Sequence, residues 1–171
     1  MSFISTVITD AIVRLEGSEE LVGVATVTLP DIESKTEEMT GLGMGNFEAI
    51  VTGLYNSLSL TLKFRGMAKN NFKTKGEPIS LVINGAIQGY NRQTGAVEVQ
   101  TFLATVRGQL KSAKDGELSR GGKVEPERVL ALTYYKAEID GEVQYEIDVF
   151  NRKATIDGED ILSAVNTALG L

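Results

Sequence analysis

The sequence predicts a mainly β protein, an antiparallel β-sandwich or barrel of about eight strands with one C-terminal helix. Apolar and polar residues alternate through most of the chain, with the period of two that half-buried strands require. Asp140-Gly141 lies between two such runs, and Asp-Gly favours a tight hairpin turn because both residues take positive φ. Helical spacing of apolar residues is clear only at residues 159–169.

In the first half of the chain, the pattern predicts strands interrupted by one long acidic loop. We expect residues 11–29 to form a hairpin that Pro30 ends, because proline cannot donate to a β-ladder. Residues 31–49 are rich in acidic residues and glycine without clear periodicity, and a connection of that length is usually functional or held by a partner. Residues 57–65 alternate cleanly and predict a strand, and residues 67–75 predict a short helix.

The second half predicts two hairpins separated by another long loop. Residues 79–109 are expected to turn at residues 91–95, which end in the glycine that a five-residue hairpin loop favours. Residues 111–128 carry both signs of charge and predict a flexible loop or one ordered by a partner. Residues 129–150 form the Asp-Gly hairpin, and residues 151–157 predict one more short strand that turns at Asp157-Gly158 before the terminal helix.

The second strand of the Asp-Gly hairpin is expected to present an acidic face. If Asp140 and Gly141 are the turn residues, Ile139 faces Glu142 and the pairing is fixed outward from there. Ala137 would then face Gln144, and Tyr134 would face Ile147 on the apolar face. A ribbon with one apolar and one acidic face packs the first and presents the second to water or to a partner. The residues predicted on the acidic face are Glu142, Gln144, Glu146 and Asp148.

Composition limits the chemistry that the chain can perform. The 171 residues suit one domain with a sizeable core, and they include no Cys, His or Trp. These absences exclude cysteine nucleophiles, Ser-His-Asp triads and nearly all zinc sites. The net charge of −6 argues against a nucleic-acid binder, which needs clustered Lys and Arg. The sequence shows no signal peptide and no apolar stretch near the roughly 20 residues that span a bilayer, so we expect no stable membrane insertion.

Two motifs have alternative chemical interpretations. The glycines of residues 41–45 suggest a phosphate-binding loop, but no strand leads directly into them and no helix with Lys-Ser/Thr follows. Glu142, Glu146 and Asp148 suggest a metal site or paired catalytic carboxylates. Alternate residues on one strand lie about 7 Å apart, however, so these carboxylates would repel weakly rather than share a proton. We predict no enzyme activity, no metal site and no cofactor.

Several segments, in this order, resemble the major tail tube proteins of contractile-tailed bacteriophages and the tube subunits of R-type tailocins. The resemblance covers nearly the whole chain. The segments are VATVTLPDIESKTEEMTGLGM, LSLTLKF, VEVQTFLATVRGQLKSAKDGE, LTYYKAEIDGEVQYEID and IDGEDILSAVNTALGL. Within them the most specific pieces are Val27–Pro30, Val106–Gly108, Asp140-Gly141, Glu146–Asp148 and Gly170-Leu171.

This resemblance implies a single-domain β-sandwich subunit that assembles with copies of itself. Six copies would form a ring, their strands closing an inner β-barrel, and rings would stack into a hollow tube. The implied partners are a sheath protein, a tape-measure protein, and baseplate and tail-terminator proteins. DNA would pass through the lumen without sequence-specific binding. The implied location is a virion tail or tailocin particle, after synthesis in the bacterial host cytoplasm.

Two groups of residues have expected roles in such a tube. We expect the acidic face of the Asp-Gly hairpin to line the channel, because its polarity and the net charge of −6 would give a negative wall that repels phosphate. The alternatives are that this face meets outside solvent, or that another hairpin, such as residues 96–106, supplies the lumen. We expect residues 31–49 to be a mobile loop that becomes ordered at contacts between subunits or rings. The residues proposed for these contacts are Glu33, Lys35, Glu37, Glu38, Met39, Gly41, Gly43, Met44 and Gly45. A free-standing β-rich binding module is the main alternative, and a carboxylate enzyme is the third.

Overall fold

The computed structural model describes residues 2–17, 23–67 and 76–171. Within these ranges the chain is mainly antiparallel β with one short helix near the C-terminus, as predicted. The elements are β1 (Phe3–Leu15), β2 (Val24–Thr28), β3 (Ser34–Gly41), β4 (Met44–Tyr55), β5 (Leu58–Phe64), β6 (Ile79–Asn91), β7 (Val97–Lys114), β8 (Glu127–Ile139), β9 (Glu142–Asp148), β10 (Lys153–Ile156), β11 (Glu159–Asp160) and α1 (Ser163–Ala168).

Strand β8 organises the main sheet. It pairs with β7 on one side, and on the other side with β5 through Glu127–Leu132 and with β9 through Tyr134–Ile139. The sheet then continues from β7 to β6 and β1, from β5 to β2, and from β9 to β10 and β11. Within the described ranges, strands β3 and β4 pair only with each other, as a separate two-stranded sheet.

The main sheet curls around its own apolar face. The buried leucines of β5 belong to the same core as Val13 of β1, Ile83 of β6 and Val106 of β7, although β5 is hydrogen-bonded to none of these strands. Strand β5 alternates as predicted, with Leu58, Leu60, Leu62 and Phe64 buried. The strands β1, β6, β7, β8 and β5 therefore enclose one hydrophobic core, and β2 adds to the edge of β5.

The predicted hairpin at residues 11–29 is wrong. Strand β1 pairs with β6, with Val13 opposite Ile83, and β2 pairs with β5, with Val27 opposite Leu62. Both partners are distant in sequence, because β1 forms a ladder along β6 from Phe3 to Leu15 and places Val13 in the core there, rather than pairing with its neighbour in the chain. The hairpins at residues 79–109 and 129–150 are confirmed as β6–β7 and β8–β9.

The loop predicted at residues 111–128 is shorter than expected. Strand β7 continues to Lys114, and β8 begins at Glu127. Arg128 fixes the start of the loop by pairing with Asp115 at 2.8 Å, and Pro126 at its end accepts the N–H of Phe64. The segment is therefore held by the sheet at both ends.

The C-terminal region contains the predicted strand and a shorter helix than expected. Asp157 and Gly158 form the predicted turn, both with positive φ, after β10. The turn leads Glu159 back to pair with Ile156, so the first residues of the predicted helix are strand β11 and the helix begins only at Ser163. The predicted helix at residues 67–75 falls on residues 68–75, which lie outside the described ranges.

Candidate assembly surfaces

Residues 34–55 form a hairpin, which we call the arm. The long loop predicted at residues 31–49 is therefore wrong in its structure. Gly43 takes a φ of 77° in the turn after Leu42, which lets β3 reverse into β4 with Gly41 opposite Met44. The sequence of this hairpin shows no clear alternation because register shifts occur at both of its ends. Its two strands are nevertheless paired along their length. Of the residues proposed for contacts, Glu33 precedes the arm, Gly43 is in its turn, and the others lie on its strands, namely Lys35, Glu37, Glu38, Met39, Gly41, Met44 and Gly45.

The arm leaves large apolar side chains uncovered. Met39 lies opposite Phe47, and both remain about half exposed. Ile50 is 67% exposed, and Leu42 in the turn is fully exposed. Contiguous exposed apolar surface on a soluble protein is typical of contact sites. The arm therefore has the character of an interaction surface.

The arm also carries carboxylates that form no ion pair with any described residue. Glu38 lies directly opposite Glu48, an arrangement in which like charges destabilise a strand pair. The ion pairs formed within the described ranges all lie outside the arm. A cation from another molecule would therefore be favourable beside these two residues.

The Asp-Gly hairpin has the predicted turn but a different register beyond it. Asp140 and Gly141 have φ values of 48° and 81°. Ile139 faces Glu142 as expected, but a register shift follows, so Ala137 faces Tyr145 rather than Gln144. The predicted pairs beyond this point are wrong, because a shift of one residue moves side chains to the opposite face of a strand.

Strand β8 contains a second bulge, nearer its start, and this bulge also exchanges the two faces of the strand. Gly108 pairs with Leu132 and Arg107 pairs with Tyr134, which leaves Thr133 as an extra residue. A Cβ on Gly108 would lie 2.2 Å from the Ala131 carbonyl oxygen, so this close approach requires glycine.

These two bulges together split the predicted acidic face. Tyr135 and Ile147 pair in the core, where each is 4% exposed, and Tyr134 lies outside the core. Glu146 and Asp148 share the face opposite the core, and Glu142 belongs to the other face. Gln144 lies at the bulge between them. The four residues expected on one face therefore do not lie together.

Glu146 and its neighbours form a paired network. The Tyr134 hydroxyl donates to Glu146 Oε1 at 3.2 Å, and Lys153 Nζ lies 3.0 Å from Glu146 Oε2. Lys136 Nζ lies 3.0 Å from Glu138 Oε1 on the same face. Every described lysine of this network is therefore held by a carboxylate.

The network shifts the titration of Tyr134. Burial first, and then the charge and hydrogen bond of Glu146 with the charge of Asp148, raise the pKa of Tyr134 to about 12. The Arg107 guanidinium, 5.4 Å from the centre of the Tyr134 ring, opposes this rise. The phenol therefore stays protonated and can donate to Glu146 well above neutral pH.

Asp148 is held in its charged form. Burial alone would raise its pKa, but hydrogen bonds from the side chain and backbone of Asn151 and from the Phe150 N–H, with the charge of Arg107, hold the pKa below its ordinary value. Asp148 thus closes the turn after β9.

Sequence reasoning missed a second apolar surface, where β1, β6 and β7 extend beyond the end of β8. Tyr90 of β6 lies between Ile4 of β1 and Val97 of β7, and all three are exposed. Val7 and Val99 flank Gln88 in the next row and are more than half exposed. The alternation of Val97 and Val99 could have predicted this surface. An apolar strand face needs another segment to pack against it, and the sequence indicates no such segment for these two residues.

A groove separates β1 from β2, where the curled sheet does not close. Its volume is about 370 Å³, and β1 and β2 share no backbone ladder. The residues around it are mostly apolar, with Asp10 and Arg65 as its charged members, namely Ile8, Asp10, Ala11, Val13, Val24, Ala25, Thr26, Val27, Leu29, Arg65, Ile83, Gly85 and Phe102.

The described ranges contain no helix with the length and apolar character needed to cross a bilayer. Among those same residues, acidic side chains nowhere cluster as a metal site would require.

Two solved structures resemble this fold. The tube/sheath terminator of an extracellular contractile injection system, PVC, in its extended state matches with a TM-score of 0.52 at 14% identity, covering 76% of this chain and 94% of that one. The sheath–tube complex of the same system matches with a TM-score of 0.50 at 16% identity, covering 75% and 87%. At these identities the likeness shows the fold alone.

Sequence comparison gives the family. The tail tube protein of Escherichia phage P2 is 29% identical over 157 residues, covering 87% of this chain and 88% of that protein. The major tail tube protein of Serratia phage KSP20 is 26% identical over 161 residues, covering 92% and 91%. The family model for phage tail tube protein FII matches residues 5–170, which confirms the resemblance. The chain therefore belongs to the phage tail tube protein FII family.

Proposed function

We propose that this chain is the repeating subunit of the inner tube of a contractile tail or injection machine, in which six copies form a ring and rings stack into a hollow tube. Its role is structural, with no catalytic step. Membership of the tail tube family supports the tube function. The observation that supports assembly from many copies is the exposed apolar surface of the single chain. Both the arm and the end of the β1–β6–β7 sheet leave large side chains for a neighbour to cover.

Free strand edges also support a closed ring. Within the described ranges β1 pairs only with β6, and β7 has no partner on its second side before Thr101. Long edges that carry apolar residues promote uncontrolled association unless they are covered. Closing a ring removes them, because each edge then meets a neighbouring copy.

The proposed machine supplies further partners. The matched PVC structures are of a sheath–tube complex and of a tube/sheath terminator. By analogy we expect a sheath around this tube, terminator and baseplate proteins at its ends, and a tape-measure protein. In a phage, DNA would travel through the lumen, and the particle would be a virion tail or tailocin made in the bacterial cytoplasm.

For the channel wall we propose the face that carries Glu146 and Asp148. Its cations are already engaged, since Lys136 pairs with Glu138, Lys153 pairs with Glu146 and Arg107 lies against the Tyr134 ring. A wall with few free cations gives phosphate little to bind, so DNA would slide without adhering. This differs from a bare acidic wall, which the split face of Glu142, Gln144, Glu146 and Asp148 does not provide.

The assignment of this face to the channel wall can be tested by a substitution that leaves one lysine without its carboxylate partner. Glu146→Gln frees Lys153, so assembled tubes of this variant should retain labelled duplex DNA at low salt more strongly than unaltered tubes do. Glu142→Gln removes the same charge from the other strand face and is the matched control. Equal retention by both variants would contradict the assignment of the Glu146 face to the lumen.

For contacts between rings or subunits we propose the arm. In the single chain it is already a hairpin, so assembly would cover its apolar residues rather than order a loop. The double substitution Met39→Ser and Phe47→Ser should leave the thermal unfolding of the monomer nearly unchanged and abolish tubes. If this variant forms tubes normally, the arm does not form the proposed contact.

Negative-stain electron microscopy at rising protein concentration tests the function as a whole. Hollow tubes or rings of uniform diameter are expected. A sample that stays monomeric at every concentration, even with an added baseplate, would overturn the proposal and favour the free-standing binding module.

A further inference from the structure

We infer that the tip of the arm of one copy inserts into the groove between β1 and β2 of another copy. This inference rests on the proposed tube function and identifies the two surfaces that meet. The occupant is a second copy of this chain, and the inserted residues are Leu42 and Met44.

The tip has the shape and chemistry of an inserting element. Leu42 is fully exposed in the turn, and Met44 beside it is 59% exposed. A two-stranded hairpin is narrow, because its strands lie about 5 Å apart. The tip therefore presents two apolar side chains on an end that can enter a cleft.

The groove is a suitable receptor. Its volume of about 370 Å³ lies within the roughly 300–1,000 Å³ of pockets that bury small ligands, so it has room for two side chains. Val13 and Ile83 of the core form part of its lining, with Val27 on the β2 side. Leucine and methionine entering this space would exchange water for apolar contacts.

The charges at the two surfaces are complementary. Glu38 and Glu48 lie opposite each other one pair behind Met39 and Phe47, close to the arm tip. Arg65 lines the groove and forms no ion pair with any described side chain. Asp10, the other charged residue there, directs its carboxylate to the N–H of Ala11 at 2.8 Å. An arm seated in the groove would therefore bring two carboxylates towards a cation, and none of the three has an ion-pair partner among the described residues.

The contact must join different copies. Seven residues separate Ser34 at the root of the arm from Gly41, so the tip stands about 23 Å away from the root. Among the described residues the arm pairs with no strand of its own main sheet, and none of its residues lines the groove of the same chain. An interface between two unlike surfaces of one chain builds rings or filaments rather than a closed dimer, as a tube requires.

The natural absence of cysteine allows a direct test. Leu42 and Ala25 are both exposed, and Ala25 lines the groove, so Leu42→Cys with Ala25→Cys should fold normally. Mild oxidation of assembled tubes should link copies into a covalent ladder on a non-reducing gel. Leu118→Cys with Ala25→Cys is the matched control, because Leu118 is also largely exposed but lies on a different loop, and it should give no ladder.

A second measurement uses single substitutions. Leu42→Asp should abolish tubes and leave the circular-dichroism melt unchanged, whereas Leu118→Asp should leave both intact. Tubes of the Leu42–Ala25 variant that give no ladder would overturn this contact while the tube function stands. If the unaltered protein forms neither rings nor tubes, the proposed function fails and the contact fails with it.

Discussion

Strand β5 of the body and strand β4 of the arm use similar residues with opposite outcomes. In β5, Leu60 and Leu62 are completely buried, whereas Phe47 and Ile50 of β4 are at least half exposed. Both strands are antiparallel, so the difference lies in what covers them. The body curls its sheet over its own apolar face, whereas the arm has two strands and no second layer among the described residues. A two-stranded hairpin by itself is marginally stable in water. The apolar residues of the arm are therefore available to the contacts proposed above.

Charge divides the two regions in the same way. On the body, Glu146 has both Lys153 and Tyr134 as partners, and its side chain is only 17% exposed. On the arm, Glu38 faces Glu48 across the ladder. Glu146 is thus neutralised within the body, whereas no described cation pairs with Glu38 or Glu48.

The largest expected effect is a difference in the free energy of unfolding between a substitution in the body and the same substitution in the arm. Leu60→Ala removes a completely buried side chain from β5 and should lower the free energy of unfolding by about 2–5 kcal/mol. Leu42→Ala, the same chemical change at the arm tip, should change it by no more than about 0.5 kcal/mol. Urea unfolding followed by circular dichroism, at concentrations where the chain is monomeric, measures both. A comparable loss for Leu42→Ala would mean that the arm tip packs within the monomer.

The junction between the two regions should show the next largest effect. Gly53 has a φ of 74° in β4, and a Cβ there would lie 2.1 Å from Leu162 Cδ2. Gly53→Ala should therefore cost about 1–2 kcal/mol for the left-handed backbone alone, with a further loss from the clash.

Two variants separate these terms in the same unfolding experiment. Adding Leu162→Ala to Gly53→Ala should remove the clash but not the backbone cost. Gly45→Ala is the control, because Gly45 has no positive φ and nothing within 4 Å of its added Cβ. If Gly53→Ala unfolds like the unaltered protein, the arm does not depend on this contact for its position.

Sequence patterns predicted the parts of the fold that depend on local chemistry. The turns at Asp140-Gly141 and Asp157-Gly158 are confirmed, because positive φ leaves a clear signature. The burial of β5 is confirmed as well, since its alternation has no interruption from Leu58 to Phe64. The partner of β1 could not be predicted, because pairing with β6 depends on contacts about 70 residues apart in the chain.

The candidate surfaces were harder to predict because single extra residues decide them. Thr133 in β8 and the bulge at Gln144 in β9 each exchange the two faces of a strand, so Tyr135 rather than Tyr134 enters the core. Alternation counted from Asp140 cannot detect such a shift. Gly108 was the one available signal, as a glycine within a strand that indicates a bulge or a close backbone approach.

A smaller effect tests the unpaired carboxylates of the arm. Glu48→Lys places a cation opposite Glu38 and should stabilise the arm by about 0.2–1 kcal/mol. Hydrogen exchange of the arm amides should slow accordingly. Glu37→Lys makes the same charge change opposite Ala49, where no carboxylate faces it, and should give no such slowing. Equal protection in both variants would attribute the gain to the net charge of the arm rather than to the pair.

The smallest expected effect concerns Glu146, the paired carboxylate of the body, and its influence on the pKa of Tyr134. Burial and Glu146 together raise the pKa of Tyr134 from 10.0 to about 12, so the folded protein holds this proton more tightly than the unfolded chain does. The resulting stability is present below about pH 10 and is lost as the pH rises towards about 12. Glu146→Gln should lower the pKa of Tyr134 part of the way, because burial remains, and phenolate absorbance during a pH titration measures it. Tyr134→Phe identifies the phenol in that titration, and an unchanged pKa in Glu146→Gln would show that burial alone sets it.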